Sequence, residues 1–256
     1  MAKASGRSAP MDPTPSPAHP ARKRATRVSA LAHELAATAL FADIPPDAVA
    51  EILPCLRIRR ASFEESEYIY RQGEHVRALG IVLAGGVRIE RTDVWGTTTV
   101  LGYVGPRGIF AESYACVPSE PLLVNAIAAK PDTQVVFVEV ARVLGLCAQS
   151  CPAHSRLVAN LVTLGARKNL MLSQRMFHTA PKTIRGKLLA YLGSEADRAG
   201  SRTFTIPYDR QQLANYLGVD RSALSAELSR MTRDGLLKTH RSRFELLDPS
   251  ADQHVL

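Results

Sequence analysis

The sequence has no run of apolar residues approaching eighteen, so a membrane-spanning helix is not expected. Its first 27 residues also lack the hydrophobic stretch of a secretory signal. They hold Arg22, Lys23 and Arg24, with five prolines between Pro10 and Pro20. Cysteine is scarce, four in 256 residues, and no Asn-x-Ser/Thr triplet occurs; both point to a reducing cytoplasm. Enzyme signatures are missing too: there is no nucleophile–base pair, no metal-binding helix and no glycine-rich phosphate loop opening a predicted helix. What is present is an ordinary globular balance, 46% hydrophobic and 22% charged, which allows a sizeable core; the length suits two domains.

The net charge of +8 is unevenly spread. Residues 1–27 carry six basic side chains and one acidic, residues 28–178 fourteen of each, and residues 179–247 twelve basic and seven acidic. A neutral body between two basic ends suggests that a polyanion meets the ends. For the Pro/Ser/Ala-rich N-terminal segment, which cannot bury enough surface to fold, a solubilising tail is an equal alternative.

Beyond that tail, Val28–Leu40 and Asp47–Pro54 read as helices. From Leu56 to Val140 the texture becomes β-rich. Runs at Tyr68–Tyr70, Gly80–Leu83, Val87–Glu90, Thr97–Tyr103 and Val135–Val140 alternate with turn glycines, the pattern of a sandwich or barrel. Pro152 then opens a helix to about His178, proline being suited to the first helical turn. Leu157, Leu161, Leu164 and Met171 recur on it at coiled-coil spacing. About 25 residues span roughly 38 Å, more than a compact β domain needs as cover, so a dimer seam is expected. Helices at Thr183–Ala196, Asp209–Leu217 and Arg221–Asp234 follow. A hairpin of Leu236–Thr239 and Arg243–Leu247 comes last.

Arg210–Ser225 is the strongest motif. A helix-turn-helix needs a small residue where its helices cross (Ala214) and a glycine for the tight turn (Gly218). It also needs apolar locks (Leu213, Leu217, Val219, Leu224) and an N-cap for the second helix (Asp220). The hairpin would be its wing. Glu227 occupies a slot usually aliphatic, and its carboxylate is expected to be half exposed or paired with an arginine, because an unpaired buried charge is costly. The second helix would enter the major groove with Arg221 placed for guanine O6 and N7. Ser222 and Ser225 lie on the same face, while Arg210, Arg241 and Arg243 are placed for phosphates.

The order of β-roll, long helix and winged helix-turn-helix resembles the cyclic-AMP receptor protein/FNR superfamily of bacterial transcription regulators. Tyr70–Glu74, Ile81–Val87, Gly108–Glu112 and Arg210–Met231 carry the resemblance, which spans about residues 40–248. Phe204–Ser225 is similar to a subgroup common in anaerobic bacteria. The resemblance implies an α+β fold with a cyclic-nucleotide-binding-like β-roll (jelly roll), a dimerisation helix and a winged helix-turn-helix. Partners implied are double-stranded DNA with a palindromic operator, a second copy of the chain, and RNA polymerase; no catalysis and no membrane are implied. The expected divisions are a disordered basic tail (1–27), an effector β-roll (28–151), the dimerisation helix (152–178), the DNA-binding domain (179–248) and a C-terminal tail (249–256).

One departure bears on the effector. Cyclic-nucleotide-binding members hold ribose and phosphate with a glutamate and an Arg-Ser or Arg-Thr pair. Glu112 matches the glutamate, but the pair falls on Leu122 and Leu123, and no Lys or Arg occurs from Ser113 to Ala129. A buried phosphate without counter-charge loses most of its charge-assisted bonding, which disfavours cyclic AMP. A lining of Tyr114, Leu122, Leu123 and Val124 suits a small organic effector, or none; Glu112 also reads as a structural carboxylate. No cofactor is assigned.

Cys147, Cys151 and His154 lie where the β-roll meets the long helix, and three readings stay open: small buried apolar residues, a Cys147/Cys151 redox switch, or ligands to zinc, haem or an iron–sulfur cluster. An FNR-type cluster is disfavoured because residues 1–54 hold no cysteine. His75 and His154 as haem ligands have no adjacent support. Set against the regulator is a ligand-binding adaptor whose basic end contacts a protein.

Overall fold

The computed structural model describes residues 20–145 and 151–247. The chain divides between Gly165 and Ala166 into two compact units. In the first, helices α1 (Pro20–Ala36) and α2 (Pro46–Ile52) precede strands β1 (Arg59–Phe63), β2 (Tyr68–Tyr70), β3 (Ala78–Ala84), β4 (Val87–Thr92), β5 (Thr98–Val104) and β6 (Ile109–Phe110). The short helix α3 (Glu112–Cys116), strands β7 (Asn125–Ala128) and β8 (Thr133–Glu139) and the short helix α4 (Val140–Leu144) follow. Helix α5 (Pro152–Thr179) starts in this unit and continues past Gly165. Since α1 begins at Pro20, the expected tail boundary at residue 27 moves back, and residues 20–27 are helical. The rest of that tail, the C-terminal tail and Cys147 lie outside the described residues.

The strands form two antiparallel four-stranded sheets, ordered β1-β8-β3-β6 and β2-β7-β4-β5. Side-chain alternation sends the two faces of the first sheet to different cores. Val82, Val135 and Phe137 meet Ile69, Val87 and Phe110 inside the roll. Leu79, Ile81, Val136 and Val138 point outward, against Leu35, Phe41, Val49, Leu56, Val143, Leu157 and Leu161 of the helical layer. Continuous apolar runs in β3 and β8 follow from this two-sided burial. The Phe110 ring lies where a side chain on Gly80 would stand, so this central strand has to carry glycine there. Asn160 ties α5 to the helical layer by donating from Nδ2 to the carbonyls of Leu40 (3.0 Å) and Ala42 (2.8 Å).

The second unit takes in the rest of α5 and adds α6 (Ile184–Ala199), β9 (Thr203–Thr205), α7 (Arg210–Leu217), α8 (Arg221–Arg233), β10 (Leu237–His240) and β11 (Arg243–Leu246). Its core joins Leu188, Tyr191 and Leu192 of α6 to Leu213, Leu217, Leu224, Leu228 and Met231. The three-stranded sheet β10-β11-β9 closes that core, with Phe204 opposite Phe244 and their rings stacked at 6.2 Å. The fold is α+β: a β-roll, a long helix and a winged helix-turn-helix. Among the described residues no helix is long and apolar enough to cross a membrane.

Candidate nucleic-acid interface

Local chemistry fixes the helix pair. Asp209 and Gln212 make a reciprocal capping box on α7: Asp209 Oδ1 accepts from the Gln212 N–H (2.8 Å), and Gln212 Oε1 from the Asp209 N–H (2.9 Å). Gly218 ends the helix at φ 63°, a conformation glycine adopts without cost, and Lys187 Nζ donates to the Leu217 carbonyl at 3.2 Å. Asp220 then caps α8 by accepting from the Ala223 N–H at 2.9 Å. Its carboxyl is held below the ordinary range by the Ser222 hydroxyl and by that N–H. Ala214 is fully buried where α7 meets α8.

Arg221 opens α8 and is exposed, as is Ser222. Ser225 is half-buried, and its hydroxyl donates to the Arg221 carbonyl at 2.9 Å. A cleft of about 450 Å3 brings Arg221 together with Arg210, Gln211 and Arg241, so helix starts and wing tip share one basic recess. Arg210 differs from its neighbours. Half-buried, it donates from Nη2 to Thr239 Oγ1 at 2.8 Å and lies 5.1 Å from the Phe244 ring centroid; burial lowers its pKa. It therefore fastens α7 to the wing. Arg241, at φ 52° on the hairpin tip, and Arg243 are exposed.

Glu227 is buried and doubly paired. Arg185 Nε donates to its Oε1 and Arg230 Nη1 to its Oε2, each at 2.7 Å, while Arg185 Nη2 reaches Asp234 Oδ2 at 2.6 Å. Of the two expectations for this carboxylate, pairing describes it and half exposure does not.

A second group escaped the sequence reading. His178, in the last turn of α5, packs edge-on against Tyr191 at 5.4 Å and faces Tyr216 at 5.9 Å, with Tyr208 5.2 Å from Tyr216. Arg175, one turn earlier, donates to the Tyr216 carbonyl (3.1 Å) and to that of Asn215 (3.3 Å). The end of α5 is thus bonded to the end of α7. Three helices and the loop before α7 each contribute one residue here, and no local spacing reports them.

The expected dimer seam needs correction. Leu157 is 0% and Leu161 5% exposed, both inside the sensor core, and Leu164 packs against it. Leu157 and Leu161 offer almost no free area to a second chain, and Leu164 only part of its surface. Met171 is exposed but shares their side of the helix. At 100° per residue the exposed Val162, Leu170, Leu172, Met176 and Phe177 fall away from Leu157 and Leu164, over a span about 160° wide.

Of the expected effector residues, Glu112 is buried at the start of α3 and accepts from the Ser113 hydroxyl at 3.2 Å; Tyr114 is half-buried. Leu122 is buried, and its backbone bonds Gly73 and Glu74. Leu123 instead faces outward at 58% exposure. The structure therefore does not bring these four side chains to one lining. A separate cleft of about 760 Å3, bordered by Arg57, Arg59, Tyr70, Arg77 and Phe137, includes none of them.

Cys151 is half-buried against the sensor core. His154 gives Nε2 to the Val143 carbonyl at 2.8 Å, and His75 Nδ1 lies 3.1 Å from the Pro118 carbonyl. Among the described residues no group of three or more His, Cys, Asp or Glu is placed to hold a metal ion.

A sensor-type β-roll and a basic helix-turn-helix on one chain define a DNA-binding regulator. Residues 60–150 match the cyclic nucleotide-binding domain and residues 186–251 the Crp-like helix-turn-helix domain. The chain belongs to the cyclic-AMP receptor protein/FNR superfamily of transcription regulators, an assignment that rests on these two matches in this order. Among solved structures it is similar to the catabolite activator protein of Thermus thermophilus (22% identity, 82% of this chain and 93% of that one, TM-score 0.43). It is also similar to DNR of Pseudomonas aeruginosa (22%, 85% and 93%, TM-score 0.42) and to the c-di-GMP-responsive regulator CLP of Xanthomonas campestris (17%, 80% and 100%, TM-score 0.49). No curated protein matches the chain.

Proposed function

We propose that the protein acts as a homodimer on a palindromic operator, each α8 entering a major groove and Arg221 contacting guanine. The observation that carries this reading is the exposed, unburdened Arg221 at the first turn of a capped helix, beside Arg241 in one recess. Two such helices reach successive grooves about 34 Å apart. The apolar stripe of Val162, Leu170, Met176 and Phe177 supports pairing along α5, since large side chains left in water at this density favour a partner. Contact with RNA polymerase is part of the same reading, as the family implies.

For the effector we favour a molecule other than a cyclic nucleotide. A cyclic phosphate has no cation from Ser113 to Ala129 to meet it, and Leu122 is buried where the arginine would stand. Cys147 and Cys151 stay a redox candidate pair, half of it outside the described residues.

The test is competition binding. The wild-type protein should prefer its selected duplex over random duplex, and Arg221→Ala should abolish that preference while keeping weak, salt-sensitive binding. A wild-type protein without preference between duplexes would support a basic end that serves a protein partner instead, and a preference that Arg221→Ala retains would move the readout to another residue.

A further inference from the structure

At one end of the sheet β1-β8-β3-β6, where β1 and β3 begin and β8 ends, lies the cleft of about 760 Å3 that none of the expected effector residues enters. Its floor is aromatic. Phe137 is buried, the Tyr70 ring stands edge-on to it at 5.6 Å, and the Tyr70 hydroxyl donates to the Ala78 carbonyl at 2.9 Å. Three arginines, Arg57, Arg59 and Arg77, border that floor, and all three are exposed. The Arg59 guanidinium lies over the Phe137 ring, 4.1 Å from its centroid, which leaves the N–H donors of its planar fork free at the edge. Two glutamates also line the cleft, but each is engaged elsewhere. Glu74 Oε2 accepts from the Arg71 N–H at 3.1 Å, and Glu139 pairs at 3.7 Å with Arg142, which does not line the cleft. Among the described residues no ion pair reaches Arg57, Arg59 or Arg77. Like charges around a recess with an apolar wall focus the field, and the field here favours an anion.

We propose that this cleft binds a small organic polyanion, a compound with two or more phosphate or carboxylate groups, held by Arg57, Arg59 and Arg77. Guanidinium forks match both kinds of oxyanion bidentately. The volume and the aromatic floor are those of a small-molecule site, and a protein partner would need a broader face.

Titration calorimetry of the full-length protein with inorganic pyrophosphate and with citrate, at about 150 mM salt to screen loose surface binding, tests this. At least one probe should saturate at one molecule per chain; pyrophosphate alone marks a phosphate ligand, citrate alone a polycarboxylate. Arg59→Gln and Arg77→Gln should each weaken that binding about tenfold or more, because each removes a charge-assisted pair. Both side chains are exposed, and a thermal melt checks that each variant is folded. Arg221→Ala, which removes a cation from the DNA-binding recess, should bind the probe as wild type does. Absence of saturable binding by either probe overturns the proposal. So does binding that survives both Arg59→Gln and Arg77→Gln, and its loss in Arg221→Ala would then put the anion at the DNA-binding recess. The cleft lies wholly in the first unit, so either failure leaves the regulator reading standing.

Discussion

The Tyr216 hydroxyl and His178 Nδ1 lie 2.8 Å apart, joining the first helix of the helix-turn-helix to the last turn of α5. Burial pushes the Tyr216 phenol up, so it keeps its proton and donates; His178, whose pKa burial lowers, accepts in its neutral form. Glu195 opposes that lowering and Arg198 adds to it.

A histidine with a depressed folded pKa binds fewer protons folded than unfolded. Its contribution is intact above the unfolded value of about 6.5 and is lost as pH falls through the folded value. The melting temperature of the DNA-binding unit is therefore expected to drop as pH falls below about 6.5. His178→Gln should flatten that acid limb. Equal pH slopes in the two proteins, followed by calorimetry, would remove His178 as the source.

Glu227 sits in an apolar slot between two arginines that reach solvent. Glu227→Ala should cost about 1–3 kcal/mol, through lost charge-assisted bonds and a small void. Glu227→Met fills the slot and frees both arginines to water, so its loss should be smaller. Urea denaturation of the three proteins tests the order.

The two sides of α5 separate by their failure modes. Phe177→Asp should shift the protein toward monomer in sedimentation velocity at micromolar concentration while its fold persists. Leu157→Ala, deep in the sensor core, should cost about 2–5 kcal/mol of stability and leave association of the folded chain unchanged. The reverse outcome would return the dimer seam to Leu157 and Leu161.

Arg241 and Arg210 share a recess but not a role. Arg241→Ala should weaken binding to all duplexes similarly and reduce the salt slope by about 1, the signature of one lost phosphate contact. Arg210→Ala loses the Thr239 bond and the packing on Phe244, so a lowered melting temperature should accompany any effect on affinity.

The helix-turn-helix was legible in the sequence because its determinants are local: Asp209, Gly218 and Asp220 act within four residues of themselves. Pro152 marked the start of α5 for the same reason. Strand β1 escaped because Arg59 and Arg60 keep it largely exposed, and β7 because Asn125 and two alanines hide a buried strand behind small residues. Periodicity showed that α5 has an apolar stripe but not what covers it. Leu157 and Met171 look alike along the chain, and only the sensor core decides which is taken. The His178–Tyr191–Tyr208–Tyr216 group depends on tertiary contact alone.

Arg175 and His178 also bear on how the molecule tolerates being cut. Proteolysis or truncation at Pro181 would leave an N-terminus without the side chains that cover Tyr191 and cap the carbonyls of Asn215 and Tyr216. A fragment beginning at Ala166 retains them. A fragment that starts at Ala166 is therefore expected to melt at a higher temperature than one that starts at Pro181.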